Sequence, residues 1–283
     1  MTNSEKRGEM LESWQETAQY WTRYSDIIAR MFAPLTEVMI ERAGIHEGQS
    51  VLDVAGGAGE PSLTIAATVG PSGSVMCTDA VAEMVEAARR EASRRGLQNV
   101  QFQQCTADSV PFPDNSFDVV VSRLGAMFFL DALGSMRELL RVTKPGGSLT
   151  FAVWYKSDVN PFCHLVSDVM DQHIKAAPAD PEAPNAFRFA EPGKLADVMI
   201  RAGAIDVRDE VVGFDLAAPL TALEFWTMRS QTSDTLREKL AKLPESEQTQ
   251  IAAEVQHAVQ PFFPANQMKF PTQMLIATGR KPV

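Results

Sequence analysis

Three aspartates, Asp53, Asp79 and Asp108, follow one another at intervals of 26 and 29 residues, and the first of them introduces a glycine-rich run, Ala55-Gly56-Gly57-Ala58-Gly59. An ionised carboxylate is an acceptor only, with two oxygens able to take a pair of vicinal hydroxyls or an amine. Glycine lets a ligand lie against the backbone, and the free amides of a following helix offer a polarised edge. Pro61 suits the first turn of such a helix, where its missing N–H costs nothing. These residue types suit a cofactor with a nucleoside part. A lone aspartate at a strand end is more often a turn or cap residue, so the signal lies in the ordered set of three.

The surrounding pattern supplies elements to position them. Short β-rich runs at 50–54, 74–78, 100–104, 117–122 and 148–154 alternate with helix-like stretches at 62–69, 81–95 and 131–142. This alternation predicts an α/β fold, a doubly wound and mostly parallel sheet. Ligands of such sheets bind outside the carboxyl ends of the strands. Those ends are 53–59, 79–80, 107–108 and 122–125, and they are expected to converge on one crevice.

Before the sheet, Leu11, Trp14, Ala18, Trp21, Ser25 and Ile28 recur at spacings of three and four, predicting an amphipathic helix, with a second helix over 27–43 ending at Gly44. After it come a helix over 161–175, a Pro/Ala-rich linker at 177–184, a helix ending at Gly203, a strand at 207–214, two helices within 221–260 and a last strand within 269–280. The expected organisation is a helical N-terminal arm or lid over 1–45, a cofactor-binding core over 46–156, and the rest of the sheet over 157–283 with substrate-cap insertions at about 157–190 and 217–266.

A net charge of −10 repels phosphate backbones and anionic bilayers, which argues against nucleic acid as a partner. The sequence has no run approaching the ~18 apolar residues of a membrane span, and no apolar stretch follows the N-terminal charges. Cys77, Cys105 and Cys163 sit apart in apolar contexts and read as reduced, buried thiols. The expectation is a cytoplasmic protein acting on a small molecule, with a homodimer left open. The four histidines show no metal-ligand spacing, so no metal is expected.

Two cofactor classes use such a crevice. The dinucleotide fingerprint requires a third glycine, but from Gly57 the chain reads Gly57-Ala58-Gly59-Glu60-Pro61-Ser62. A carboxylate ahead of the glycines instead suits a cationic amino-acid end without a pyrophosphate. The blocks Val51-Leu-Asp-Val-Ala-Gly-Gly-Ala-Gly59, Thr78-Asp79, Ala107-Asp-Ser-Val-Pro-Phe-Pro-Asp-Asn-Ser-Phe-Asp-Val119 and Arg141-Val-Thr-Lys-Pro-Gly-Gly-Ser148 resemble the class I S-adenosylmethionine-dependent methyltransferases, most closely the ubiquinone/menaquinone-biosynthesis branch.

The resemblance covers about 35–153 and implies a Rossmann-like sheet of seven strands whose last strand is antiparallel. It implies S-adenosylmethionine as cofactor and S-adenosylhomocysteine as product. Ala55, Gly56, Gly57 and Gly59 would line the methionine end, with Asp53 supporting the loop. Asp79 would hold the ribose, Ala80 and Met84 would touch adenine, and Asp108 with its neighbours Ala107 and Ser109 would meet the adenine edge. Ser122 and the residues up to Met127 would face the methyl donor. The class usually has glycine where this chain has Ala55, so shifted contacts with retained binding are expected.

Methyl transfer needs alignment in a dry site more than a catalytic group, and no strong catalytic motif is visible. His164 is the best-placed candidate base, against a structural histidine. Tyr24, and Tyr20 beside it, could close over the cofactor, against a role as core aromatics; an aromatic face would also attract a sulfonium. Arg123 could anchor an anionic substrate group or pair with a nearby carboxylate. Met127, Trp154 and Phe187 add apolar surface that suggests a hydrophobic or aromatic acceptor. The readings that compete are a protein binding the cofactor without methylating, an interaction module, and an NAD-dependent dehydrogenase disfavoured by the missing glycine.

Overall fold

Continuous apolar runs make the centre of the molecule. The computed structural model describes residues 3–174, 180 and 182–283, which fall into two compact units. The sheet unit comprises Ala33–Tyr155, Glu182–Val212 and Met274–Val283, and the helical unit comprises Met1–Phe32, Lys156–Pro181 and Gly213–Gln273.

The sheet has seven strands, β1 (Ser50–Val54), β2 (Ser74–Asp79), β3 (Val100–Gln104), β4 (Phe117–Arg123), β5 (Thr143–Trp154), β6 (Ile205–Ala218) and β7 (Met268–Arg280), in the order β3-β2-β1-β4-β5-β7-β6. Strands β1 to β5 pair in parallel, with Asp53 level with Cys77 on one side and Val121 on the other. Strand β7 runs antiparallel to β5, with Phe151 opposite Ala277. The expected Rossmann-like sheet with an antiparallel last strand is present. Because β1 lies between β2 and β4, the strand order reverses at β1, and the crevice beyond its carboxyl end is the ligand position such sheets favour.

Periodicity explains the helices of the sheet unit. After α1 (Asn3–Arg23) and α2 (Ser25–Met31), which belong to the helical unit, come α3 (Ala33–Ala43), α4 (Ser62–Val69), α5 (Ala82–Arg94) and α6 (Ala132–Val142). On α5 the buried residues are Met84, Val85, Ala87, Ala88 and Ala92, the stripe that an amphipathic helix turns towards a sheet. Asp131 caps α6 by accepting the Gly134 amide at 2.8 Å.

The remaining helices are α7 (Pro161–His173), α8 (Lys194–Ala202), α9 (Ala222–Thr232), α10 (Asp234–Leu240) and α11 (Glu245–Val259). Rings of Phe162, Phe225, Phe263 and Phe270 pack at centroid distances of 5.2–5.8 Å in the core of the helical unit. No helix among the described residues is long and apolar enough to cross a membrane.

Boundaries differ from expectation where capping chemistry intervenes. The arm helices are α1, α2 and α3, broken at Tyr24 and Phe32, instead of two helices over 11–28 and 27–43. Pro34 explains the second break, since it has no N–H to continue a helix and fits a first turn. The segment 221–260 holds three helices because Ser233 caps α10, accepting the Leu236 amide, and Pro244 precedes α11. Strand β5 begins at Thr143, five residues before the expected start at Ser148, through pairing of Thr143 with Phe117 ahead of a register shift. In the Pro/Ala-rich linker at 177–184, residues 177–179 and 181 lie outside the described residues, as does Lys175.

Candidate functional site

The loop after β1 is fixed by hydrogen bonds that consume most of its backbone. Gly56 donates to the Thr78 carbonyl at 2.9 Å, Gly59 to the Gly56 carbonyl at 3.0 Å, and the Thr78 hydroxyl donates to the Asp53 carbonyl at 3.0 Å. A Cβ on Gly56 would lie 2.7 Å from the Cys77 sulfur and 2.9 Å from Asp53 Oδ2, so the loop can press onto β2 only as glycine. Gly57 has φ +55° and nothing within 4 Å of the place its Cβ would occupy, leaving an open backbone face. Ala55 holds φ +59° with a side chain, the left-handed region that costs an L-residue roughly 1–2 kcal/mol. That conformation is the physical reason glycine is expected at this position.

Asp53 is fully buried beneath the loop. Its Oδ2 accepts both the amide (3.1 Å) and the hydroxyl (2.6 Å) of Ser62, the first residue of α4, while Oδ1 has no partner among the described residues. Burial pushes the carboxyl up to about 7, against the lowering influence of the Ser62 hydroxyl and the Arg123 guanidinium. Asp53 therefore occupies the helix N-terminus that a dinucleotide's pyrophosphate would need. A pyrophosphate there would have to compete with Asp53 for the first amide of α4.

Asp79 ends β2 as the acceptor of two amides, Gly57 N–H on Oδ2 and Val81 N–H on Oδ1, each at 3.0 Å. A carboxylate has about four lone-pair sites, so capacity remains beyond these amides for vicinal hydroxyls. Burial raises this carboxyl above its ordinary value, with the amides of Val81 and Gly57 opposing. Around it lie half-buried Ala80 and buried Met84, in the first turn of α5. Ala107, buried, and Asp108, half-buried, follow β3 in a turn closed by the Ser109 amide on the Thr106 carbonyl at 3.1 Å, with Ser109 itself exposed.

Near the end of β4, Ser122 is buried, and its hydroxyl has no hydrogen-bond partner among the described residues. Leu124 takes φ +64°, and Gly125 follows where a Cβ would meet the Ala55 Cβ at 2.5 Å and Ser122 Oγ at 2.6 Å. The two loops that shape the crevice thus touch through Ala55 and Gly125. Met127 is buried in the turn that follows, and Trp154, at the end of β5, lies 6.4 Å from the Phe187 ring.

Arg123 donates to the Thr36 hydroxyl (2.7 Å) and to the Glu60 carbonyl (3.2 Å), joining α3 to the glycine loop. Burial lowers its guanidinium, while Glu60 and Asp53 raise it. These bonds, to a hydroxyl and a backbone carbonyl, make it a brace of the loop. A second brace went unread in the sequence: Arg141 donates to the carbonyls of Phe112 (2.8 Å) and Val110 (3.2 Å) and pairs with Asp114 and Glu138. It pins the segment after Asp108 to α6; its place in the block Arg141–Ser148 was the available signal.

The remaining expected residues belong to the helical unit. His164 is on α7 with Nδ1 2.9 Å from Asp168 Oδ2. Tyr24 donates to Gln231 Oε1 at 2.9 Å, and the Tyr20 ring lies beneath the Arg237 guanidinium at 5.7 Å. Burial pushes the Cys105 and Cys163 thiols up to about 11 and Cys77 well above its ordinary value, so all three free cysteines are protonated near neutrality. Among the described residues no cluster of three His, Cys, Asp or Glu could hold a metal ion.

Comparison with known proteins agrees with this geometry. Residues 17–171 match the sequence model of the ubiE/COQ5 methyltransferase family. The chain is 37% identical over 131 residues to a ubiquinone/menaquinone biosynthesis C-methyltransferase UbiE of Hahella chejuensis, covering 46% of this chain and 52% of that protein. It therefore spans about half the length of that relative. The YcgJ protein of a Bacillus shares the fold with TM-score 0.57 at 23% identity, over 89% of this chain and 99% of its own. So does the [4+2]-cyclase SpnF, with TM-score 0.53 at 19% identity, over 95% and 96%. With more than half of its residues matched by that one model, and with the aspartates and glycines of the crevice inside the matched stretch, the chain belongs to the ubiE/COQ5 methyltransferase family.

Proposed function

We propose that the sheet unit binds S-adenosylmethionine and that the chain transfers its methyl group to a small, apolar or aromatic acceptor. The observation that carries this reading is the Asp79 clasp, a half-buried carboxylate tied to Gly57 and Val81 that retains acceptor capacity for the two hydroxyls of a ribose. Asp53 at the start of α4 supports the choice of a cofactor with a cationic amino-acid end over a dinucleotide. The name of the Hahella relative supports carbon as the acceptor atom and a quinol-type ring as the acceptor.

When bound, S-adenosylmethionine would supply a methyl group made electrophilic by its sulfonium, and Asp79 with the Ala55, Gly57 and Gly59 backbone would hold it. The work of the chain is to hold the cofactor in line, a contribution of up to roughly 7–11 kcal/mol. Ala55, Gly57 and Gly59 shape the backbone wall, Arg123 keeps that wall attached to α3, and Arg141 keeps the adenine-side turn in place. For acceptors that must lose a proton, His164 is the candidate base. With Asp168 accepting from Nδ1, its Nε2 is left as the proton acceptor. Unchanged turnover in His164→Ala would remove it from that role.

A second reading is cofactor binding without methyl transfer; a [4+2]-cyclase among the fold neighbours supports a different reaction on this fold. One panel separates these readings. Thermal shift with S-adenosylmethionine, S-adenosylhomocysteine and NAD should show stabilisation by the first two. Mass spectrometry of quinol and phenol acceptors should then show methylated product. Stabilisation by NAD alone would sink both readings, and S-adenosylhomocysteine binding without any methylated product would favour the second.

A further inference from the structure

The glycine run after β1 is permissive backbone, and glycine loses more freedom on ordering than any other residue. A loop that its ligand must order weakens binding by the cost of that ordering, whereas a loop fixed beforehand does not. In the sheet unit the residue that follows Gly59 supplies the fixing. Glu60 Oε2 accepts the Thr64 hydroxyl of α4 at 2.7 Å, and its Oε1 accepts Arg95 Nη1, one residue beyond α5, at 2.6 Å. The Glu60 carbonyl takes the Arg123 guanidinium of β4, which reaches α3 through Thr36.

The Glu60 carboxylate and the Arg95 guanidinium are 13% and 30% exposed, so salt screens their attraction less than that of a surface pair. Arg95 is itself held, its Nε donating to Glu91 Oε1 at 2.6 Å. Helix α5 also lies directly behind the loop: a Cβ on Gly59 would stand 3.4 Å from the Ala88 Cα and 2.9 Å from Leu63 Cδ1. Glu60 thus joins the last glycine of the loop to α4 and α5 through its side chain, and to β4 and α3 through its carbonyl. We propose that Glu60 is a positioning residue for the cofactor: its carboxylate, clamped between Thr64 and Arg95, holds the glycine loop in the shape that receives S-adenosylmethionine. It acts through the loop backbone, by removing the ordering that binding would otherwise require. The proposal rests on the assignment of this loop to that cofactor.

The test uses the full chain and calorimetric titration of S-adenosylhomocysteine. Glu60→Ala should weaken binding at least about tenfold, and Glu60→Gln, which keeps the shape of the side chain and one carbonyl acceptor, should fall between Glu60→Ala and the parent. Arg95→Met should weaken binding in the same direction, and adding it to Glu60→Ala should cost little more than Glu60→Ala alone. Arg94→Met, which removes a 2.6 Å pair with Glu91 at the end of the same helix, should leave affinity within about twofold and controls for loss of helix stability. Amide exchange supplies a readout that a purely structural brace would not give. Residues 56–59 should exchange faster in Glu60→Ala than in the parent without ligand, and at the parent's rate once S-adenosylhomocysteine saturates the site. Parent-like affinity in Glu60→Ala, additive losses in the double variant, an equal loss in Arg94→Met, or unchanged exchange of the free loop would overturn the proposal. A parent that binds no S-adenosylhomocysteine would contradict the proposed function itself, and the cofactor role of Glu60 with it.

Discussion

Buried charge is handled differently in the two units. In the sheet unit, Asp53 and Arg123 sit beneath one loop, and each is tied to it: Asp53 holds the amide and hydroxyl of Ser62, and Arg123 holds the Glu60 carbonyl. In the helical unit, Arg229 lies on an aromatic ring with its Nε unbonded. The first arrangement spends charge on fixing a backbone shape that receives a ligand. The second sets a cation against an aromatic face. The sheet unit should therefore respond to substitution through loop strain and proton uptake, and the helical unit through packing and hydrogen bonding.

The largest effect is expected at Asp53. Its folded carboxyl is pushed from 3.8 up to about 7, so the folded state keeps a proton that the unfolded chain has already released. Stability must then fall as pH rises from about 4 to about 7, by at most about 4 kcal/mol at 1.36 kcal/mol per pH unit. Urea midpoints of parent and Asp53→Asn across that window should differ in slope, the variant lacking this fall. Parallel curves would show that Asp53 is not held protonated by its burial.

Next comes the contact between loops. Gly125→Ala places a methyl 2.5 Å from the Ala55 Cβ and should destabilise by about 1–3 kcal/mol. Adding Ala55→Gly should recover part of that loss, the remainder belonging to Ser122 Oγ at 2.6 Å. Additive effects in the double-mutant cycle would mean that the two loops do not touch. In the helical unit, Tyr24→Phe removes a 2.9 Å bond to Gln231 and should lower stability by about 1 kcal/mol, read from denaturant unfolding.

The smallest effect is expected at His173, whose ring meets Glu254 at 2.7 Å and Glu247 at 3.3 Å. The Glu254 bond, with Glu247 behind it, raises the imidazole above 6.5, so its contribution is full below that value and is lost as pH rises through the folded one. An NMR titration of the ring should give a midpoint above 6.5, and one at or below it would contradict the clasp. The Asp53 and His173 slopes share a sign, the first running from about 4 to about 7 and the second from 6.5 upward.

The same contrast explains what the sequence made legible. Strands β1 and β3 and helix α4 were read to the residue, because each is a short run bounded by its own turn chemistry. The crevice was legible because Asp53, the glycines and Ser62 lie within nine residues of one another, and Asp79 and Asp108 stand at strand ends. The breaks at Tyr24 and Ser233 were not, since hydrophobic spacing runs through both. The partners of Arg123, Arg141 and Arg229 were not legible because a side chain's partner is set by tertiary packing. Arg229 and Phe162 come together from positions 67 residues apart, and no local pattern marks such a pair.

Calorimetric titration of S-adenosylhomocysteine into the parent protein and Asp79→Ala tests the central claim most directly. The account predicts one site in the parent and an affinity loss of roughly 100-fold in the variant, the loss of two hydrogen bonds to a charged acceptor at about 1.5 kcal/mol each. Equal affinity in the two proteins, or binding of NAD in place of S-adenosylhomocysteine, would contradict it.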